Sequence, residues 1–309
     1  MHDRKPKGHE EERRKERSFV VAGQSVSARP LAAGLYVVAT PIGNLGDVTL
    51  RALETLAGAD AIACEDTRIT HRLLERYGIA APLLPYHEHN AAAARPKILA
   101  RLAAGEAVAL VSDAGTPLIS DPGYKLVREA AAAGHAVVAV PGASSVLTAL
   151  AVAGLPTDRF FFEGFLPPRP AARRARLAEI ARIPATLVLF ESGPRLAEAL
   201  SDLADVLGPR QAAICRELTK LHEEVARETL PALAARYARG GETRGEFVLV
   251  IAPPSEDAPS LDDIDGLLRR TLGESSLKDA VAAVADATGQ PRRDIYRRAL
   301  ALVKGGDAD

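Results

Sequence analysis

Residues 107–123, AVALVSDAGTPLISDPG, constrain the fold more than any other stretch. The segment opens on Val108, Leu110 and Val111 with no charged residue among them, the pattern of a strand covered on both faces. It then breaks into Ser112, Asp113, Ala114, Gly115, Thr116 and Pro117, and a second turn, Ser120-Asp121-Pro122-Gly123, follows at once. Residues 124–133 read as a helix. A polar, small-residue loop at the carboxyl end of a buried strand is where open α/β sheets bind ligands. Either turn alone could be an ordinary one held by Gly and Pro. Twelve such residues in succession point to a site.

The same strand, loop and helix recur on both sides. Residues 34–39 (GLYVVA) form a buried strand that runs into Thr40-Pro41-Ile42-Gly43-Asn44-Leu45-Gly46-Asp47. Leu50, Leu53 and Leu56 then follow at helical spacing. The loop holds no G-x-G-x-x-G, which counts against a Rossmann dinucleotide site. A strand at 59–64 ends in Glu65, Asp66, Thr67 and Arg68, either a structural ion-pair cluster or a polar site. A short strand at 83–86 leads into His87-Glu88-His89-Asn90, read as a polar rim because no further ligand pair lies near. The strand at 137–140 ends in Pro141-Gly142-Ala143-Ser144-Ser145, with Ser144 placed to cap a helix over 146–153. Five strands alternating with helices make one parallel α/β lobe over residues 34–154.

A second lobe is expected over 155–253. Its strands at 185–190 and 211–215 end in Glu191-Ser192 and in Arg216-Glu217-Leu218-Thr219-Lys220. Ahead of them Arg169, Arg173, Arg174, Arg176 and Arg182 stand against one local acid, Glu179. Such a run is a solvated helix face or a surface free to meet phosphates. Residues 253–260 (PPSEDAPS) read as a linker, and 264–272, 276–288 and 292–303 as three short helices. Arg292, Arg293, Arg297 and Arg298 crowd the last, as in a nucleic-acid-binding module. Residues 1–33 mix charges with Gly, Ser and Pro without apolar period and read as a disordered tail.

Composition narrows the function classes. The 309-residue chain has a net charge of -1, so any nucleic-acid site is a local patch rather than a coating of positive charge. Cys64 and Cys215 are its only cysteines, far apart and without metal-ligand spacing. A reduced, cytoplasmic setting and no metal are expected. The apolar run at 136–155 is broken by Pro141-Gly142 and Ser144-Ser145, so no membrane span is expected.

SDAGTPLISDPG resembles the signature of the ribosomal RNA small subunit methyltransferase I family, within the tetrapyrrole methylase superfamily. TPIGNLGD at 40–47, EDTR at 65–68, LPTDR at 155–159, ESGPR at 191–195 and ELTK at 217–220 resemble further motifs of that family. The resemblance covers about residues 34–253, with a weaker match at the carboxyl end. Pro194 stands where the family usually has His, and Ala143 where Pro is common. The resemblance implies a two-lobed α/β fold of the tetrapyrrole-methylase (class III methyltransferase) type, with a small helical module over 254–309. It implies S-adenosyl-L-methionine as cofactor, a molecule without the phosphates that a glycine-rich turn would cradle. Asp113 and Thr116 would line its methionine part, joined by Pro41, Ser144, Ser145, Glu191 and Glu217. Glu65, Asp66 and Arg68 would organise the nucleotide, and Lys220 would stabilise a developing oxyanion. The implied target is the ribose 2'-hydroxyl of a cytidine in 16S ribosomal RNA, within the small ribosomal subunit. Arg169, Arg173, Arg174, Arg176, Arg292 and Arg293 would contact that RNA, and the protein would act as a homodimer. A methylase of tetrapyrrole intermediates, or a non-catalytic RNA-binding assembly factor on the same fold, remain the alternatives.

Overall fold

The computed structural model describes residues 17–254 and 261–306. It begins with a hairpin of β1 (Ser18–Val21) and β2 (Gln24–Ser27), turned through Ala22 and Gly23 at φ 50° and 78°. Two successive positive φ angles are the signature of a turn that matches strand twist. Phe19 is buried in the core of the first sheet's layer, the Val20 amide donates to the Tyr77 carbonyl at 2.8 Å, and Arg17 pairs with Asp60 at 2.7 Å. The expectation of disorder is therefore corrected for residues 17–33. One anchored phenylalanine and two cross-chain contacts order a segment whose composition alone suggests none. Residues 1–16 of that tail lie outside the described residues.

The first sheet is all parallel, in the order β5-β4-β6-β3-β7. Its strands are β3 (Gly34–Val38), β4 (Ala61–Cys64), β5 (Leu83–Pro85), β6 (Ala107–Val111) and β7 (Val137–Val140). All five residues of β6 are buried, because it takes the middle of the sheet with helices on both faces. The helices are α1 (Leu50–Gly58), α2 (Thr67–Arg76), α3 (Ala91–Ala103), α4 (Tyr124–Ala132) and α5 (Ser145–Ala153). Thr49 and Ser144 accept from Ala52 and Leu147 amides to cap α1 and α5. The chain's order of travel across the sheet reverses between β6 and β3. At such a point neighbouring loops leave in opposite directions and open a crevice.

The second sheet is mixed, in the order β11-β10-β12-β9-β8. Its strands are β8 (Phe160–Phe165), β9 (Thr186–Ser192), β10 (Gln211–Arg216), β11 (Glu224–Thr229) and β12 (Glu246–Ile251). Only β8 and β9 pair in parallel. Three helices accompany it, α6 (Pro170–Ile180), α7 (Gly193–Leu207) and α8 (Leu230–Ala238). Helix α5 crosses from the first sheet to cover one face of the second. Val146, Ala149, Leu150 and Ala153 pack there with Val188, Ala213 and Val250, and Ile42 joins them. That shared apolar layer fixes the loops of one sheet against the other.

The carboxyl-terminal helices α9 (Leu261–Glu274), α10 (Leu277–Thr288) and α11 (Arg292–Gly306) have their own core of Ile264, Leu268, Val281, Val284, Ile295 and Ala299. Ser276 caps α10 by accepting from the Asp279 amide. Among the described residues no helix is long and apolar enough to cross a membrane.

Candidate active site

Three loops at the carboxyl ends of β3, β4 and β6 are tied into one surface. The Thr40 and Gly115 backbones exchange hydrogen bonds at 2.9 and 3.1 Å, and the Thr40 hydroxyl donates to the Ser112 carbonyl at 3.2 Å. The Asp66 amide donates to Asp113 Oδ1 at 2.9 Å. The Thr116 hydroxyl donates to the Ala143 carbonyl at 3.2 Å, which adds the loop after β7. Since that contact uses only backbone at 143, the departure from the family's proline leaves it intact. Leu118 and Ser120 hold φ of 76° and 62°. Non-glycine residues in that region are sparse and are kept there only by their surroundings.

A cavity of about 400 Å³ lies between this surface and the second lobe, in the size range of small-molecule sites. Pro41, Gly43 and Asp113 line it from the first lobe, and Lys220 and Glu246 from the second. Another cavity, about 20 Å³ beneath the hairpin at Pro30 and Asp60, has room for little more than a water.

Carboxylates gather around Asp113, which lines the cavity on the same side as Arg72. Burial pushes the Glu65 carboxyl up, and Asp113, Asp121, Asp66 and Glu88 add to the shift. Burial likewise raises Asp121, with Asp113 adding and the Ser112 hydroxyl offsetting. Asp66 goes the other way, to about 2, because the Arg68 side chain and amide donate to it. Among the described residues no cation stands within ion-pair distance of Glu65, Asp113 or Asp121. Three carboxylates without a cationic partner suit a cationic ligand. A sulfonium with an ammonium group fits that donor set.

Lys220 commands the second lobe's side of the cavity. Its ammonium donates to Glu217 Oε1 at 2.9 Å and Glu246 Oε2 at 2.8 Å. Partial burial works against its charge, but these two hydrogen bonds outweigh burial and raise its pKa. Glu217 also accepts from the Glu246 amide at 3.0 Å and sits at φ 49°, with Thr219 at 66°. Gly43 faces the lysine closely: a Cβ there would stand 2.5 Å from Lys220 Cγ and 2.8 Å from Cε.

Pro41, Asp113 and Lys220 thus line one cavity, with Glu65, Asp66 and Arg68 gathered beside Asp113. Thr116 lies in the same loop system. The Ser144 hydroxyl caps α5, of which Ser145 is the first residue. Glu217 braces Lys220. Glu191 is not on the cavity wall; it is 3% exposed, accepts from the Ser192 amide at 2.7 Å and faces Arg195 at 3.2 Å. Pro194, the other departure from the family, occupies the first turn of α7, where its missing amide hydrogen costs nothing.

The basic run differs from expectation. Arg173 is 1% exposed and donates to Asp202 at 2.6 Å. Arg174 reaches Asp202 and Asp205 at 2.5 Å each, and Arg176 reaches Glu163 at 2.6 Å and Glu179 at 2.8 Å. These three are not free to meet phosphates. Their partners on β8 and α7 are distant in sequence, so a count of local acids cannot find them. Arg169 is exposed without an ion pair among the described residues, and so is Arg293, while Arg292 is exposed and 3.3 Å from Asp286. Sequence reasoning missed Glu246, whose only signal is its place at the start of a buried strand. It also missed Arg72, which lines the cavity four residues after Arg68.

A model of the family Tetrapyrrole (Corrin/Porphyrin) Methylases matches residues 34–234, and one described as RsmI C-terminal HTH domain matches 258–303. A ribosomal RNA small subunit methyltransferase I from Mesorhizobium japonicum is 51% identical over 92% of this chain and 97% of its own length. The protein of the same name from Erythrobacter litoralis is 50% identical over 89% and 98%. The fold is similar to that of uroporphyrin-III C-methyltransferase from Thermus thermophilus, solved with S-adenosyl homocysteine. That likeness has a TM-score of 0.50 at 20% identity, covering 71% of this chain and 97% of that one. The chain belongs to the tetrapyrrole methylase family and, within it, to the ribosomal RNA small subunit methyltransferase I proteins.

Proposed function

We propose that the chain methylates the ribose 2'-hydroxyl of a cytidine in 16S ribosomal RNA of the small subunit, with S-adenosyl-L-methionine as cofactor. The observation that carries this reading is the cleft itself, in which Asp113, without an ion pair among the described residues, shares one cavity with a braced lysine. The cofactor, when bound, supplies a methyl group already activated on a sulfonium. Asp113, with Glu65 and Asp121 beside it, offers negative charge to that cation. The Thr40–Gly115 bridge and the Thr116–Ala143 bond hold the loops that set its place, with Pro41, Ser144 and Ser145 on the same rim. Holding donor and acceptor in line can lower a barrier by roughly 7–11 kcal/mol, so positioning is the main task.

Glu65, Asp66 and Arg68 organise the incoming nucleotide. Lys220, kept protonated by Glu217 and Glu246, stabilises the oxygen as its proton passes to solvent and the methyl group bonds to it. Glu191 supports the second lobe rather than the ligand. The helical module over 254–309 and the exposed Arg169, Arg292 and Arg293 add contacts to the RNA. The names of the relatives favour RNA over a tetrapyrrole as substrate, and the intact cleft favours an enzyme over an inert assembly factor. We place the activity in the cytoplasm, in a homodimer.

Calorimetric titration with S-adenosyl-L-methionine tests the reading. Saturable binding at one site per chain is expected, and no heat at millimolar ligand would overturn it.

A further inference from the structure

The face of α2 that carries Arg68, Arg72 and Arg76 continues the cleft wall onto the surface. Residues four apart lie one above the other on a helix, so the three form a single ridge about 12 Å long. All three are exposed. Arg68 is tethered at its start, 2.6 Å from Asp66, with its side chain 86% exposed. Arg72 lines the cavity and has no ion pair among the described residues. Among the described residues Arg76 makes only a stacking contact, its guanidinium carbon 5.7 Å from the Tyr77 ring centre. That arrangement leaves its N–H donors in solvent. One acid, Glu75, shares the helix surface and is exposed without an ion pair among the described residues.

This pattern is the reverse of α6, where Arg173, Arg174 and Arg176 are engaged by Asp202, Asp205, Glu163 and Glu179. The cleft interior sorts charge as well. Asp113 and the carboxylates gathered beside it repel a phosphate, so a nucleic-acid backbone delivering one nucleotide inward lies on the α2 side of the cavity. The unpaired guanidinium there is Arg72. Planar guanidinium forks match phosphate oxygens in pairs, which favours a polyanionic strand over a protein partner.

We infer that Arg72 and Arg76, continuing from Arg68, are the track on which the phosphate backbone of the substrate RNA lies as its target nucleotide enters the cleft. The inference rests on the proposed RNA substrate and names the surface that receives it. The track holds the RNA and takes no part in the methyl transfer.

The test compares the wild-type chain with Arg72→Ala/Arg76→Ala and with Arg72→Lys/Arg76→Lys. Affinity for small ribosomal subunits is measured against salt, alongside S-adenosyl-L-methionine affinity. The alanine pair should lose about 1.4–1.8 from the slope of log affinity against log salt, one phosphate contact per arginine. The lysine pair should keep the slope, because charge is retained. Cofactor affinity should not move in Arg76→Ala alone, since Arg76 does not line the cavity, and an unchanged melting temperature certifies that both pairs are folded. Should the alanine pair fail that check, Arg76→Glu alone must still lower the slope. A wild-type slope in the alanine pair, or in Arg76→Glu, would overturn the track. Wild-type protein that binds no subunit at any salt would instead overturn the proposed substrate, and the track with it.

Discussion

The backbone amide of Asp66 donates to the carboxylate of Asp113 across 2.9 Å, joining the loop after β4 to the loop after β6. Two acidic residues from different strand ends are thereby held together without opposing their charges directly. Asp66 turns its own carboxylate to Arg68 and to the amino end of α2, while Asp113 lines the cleft. The arrangement concentrates negative charge where a cationic ligand fits.

Asp113→Ala removes both the tie and the charge. Cofactor affinity should fall by about 1.5–3 kcal/mol, the worth of a hydrogen bond involving a charged group. Calorimetry reads this directly. Unchanged affinity would remove Asp113 from the cofactor site.

Gly43 leaves the space that Lys220 occupies. Gly43→Ala puts a methyl group 2.5 Å from Lys220 Cγ, so the ammonium must shift. Turnover should drop by up to about 100-fold, the cost of roughly 1 Å of misplacement in an active site. In a Lys220→Ala background the same change should cost little more, because residues in contact are not additive. Two fully additive losses would show that Gly43 acts independently of the lysine.

Glu65 has a raised pKa, caused first by burial and then by its acidic neighbours. A carboxyl raised in the folded state favours folding below its unfolded pKa, and that contribution is lost as pH climbs through the folded value. The ligand-free protein should therefore melt higher when Glu65→Gln is introduced at pH 7. Binding of a cationic cofactor runs the opposite way. It should weaken as pH falls from 7 towards 5, and Glu65→Gln should flatten that dependence. A cofactor affinity constant across this window in the wild type would contradict the electrostatic reading of these carboxylates.

Arg173 and Asp202 form a buried pair in the second lobe. Arg173→Ala should destabilise the fold by about 1–3 kcal/mol, through the lost packing and hydrogen bonds of a buried side chain, while Asp202 keeps Arg174 as its partner. Arg169→Ala, at an exposed helix start, should leave the melting temperature within a degree or two. Equal, small effects from both would restore Arg173 to the surface.

Local pattern revealed most of the first lobe. Uninterrupted apolar runs such as residues 107–111 become central parallel strands, and each ends in a loop whose small residues advertise a turn. The second lobe was harder to read. β11 (EVARET) carries three charged residues over six, as an edge strand can, so it shows no apolar run. Phe19 is the one buried residue of the hairpin's two strands, too little signal to separate it from a tail. For the site, Asp113 and Lys220 were legible because motif and strand end coincide at both. The state of Arg173, Arg174 and Arg176 was not, since ion pairing depends on which helices the fold brings together. Arg72 escaped notice for a related reason: an arginine on the exposed face of an amphipathic helix becomes informative only when the cavity beside it is known.

The most direct measurement is transfer of labelled methyl from S-adenosyl-L-methionine to isolated small ribosomal subunits, followed by digestion of the RNA to nucleosides. The expected result is label in 2'-O-methylcytidine with wild-type protein, greatly reduced with Lys220→Ala although that variant still binds the cofactor. Label on a base, or no label on RNA from a protein that binds the cofactor, would contradict the proposed reaction.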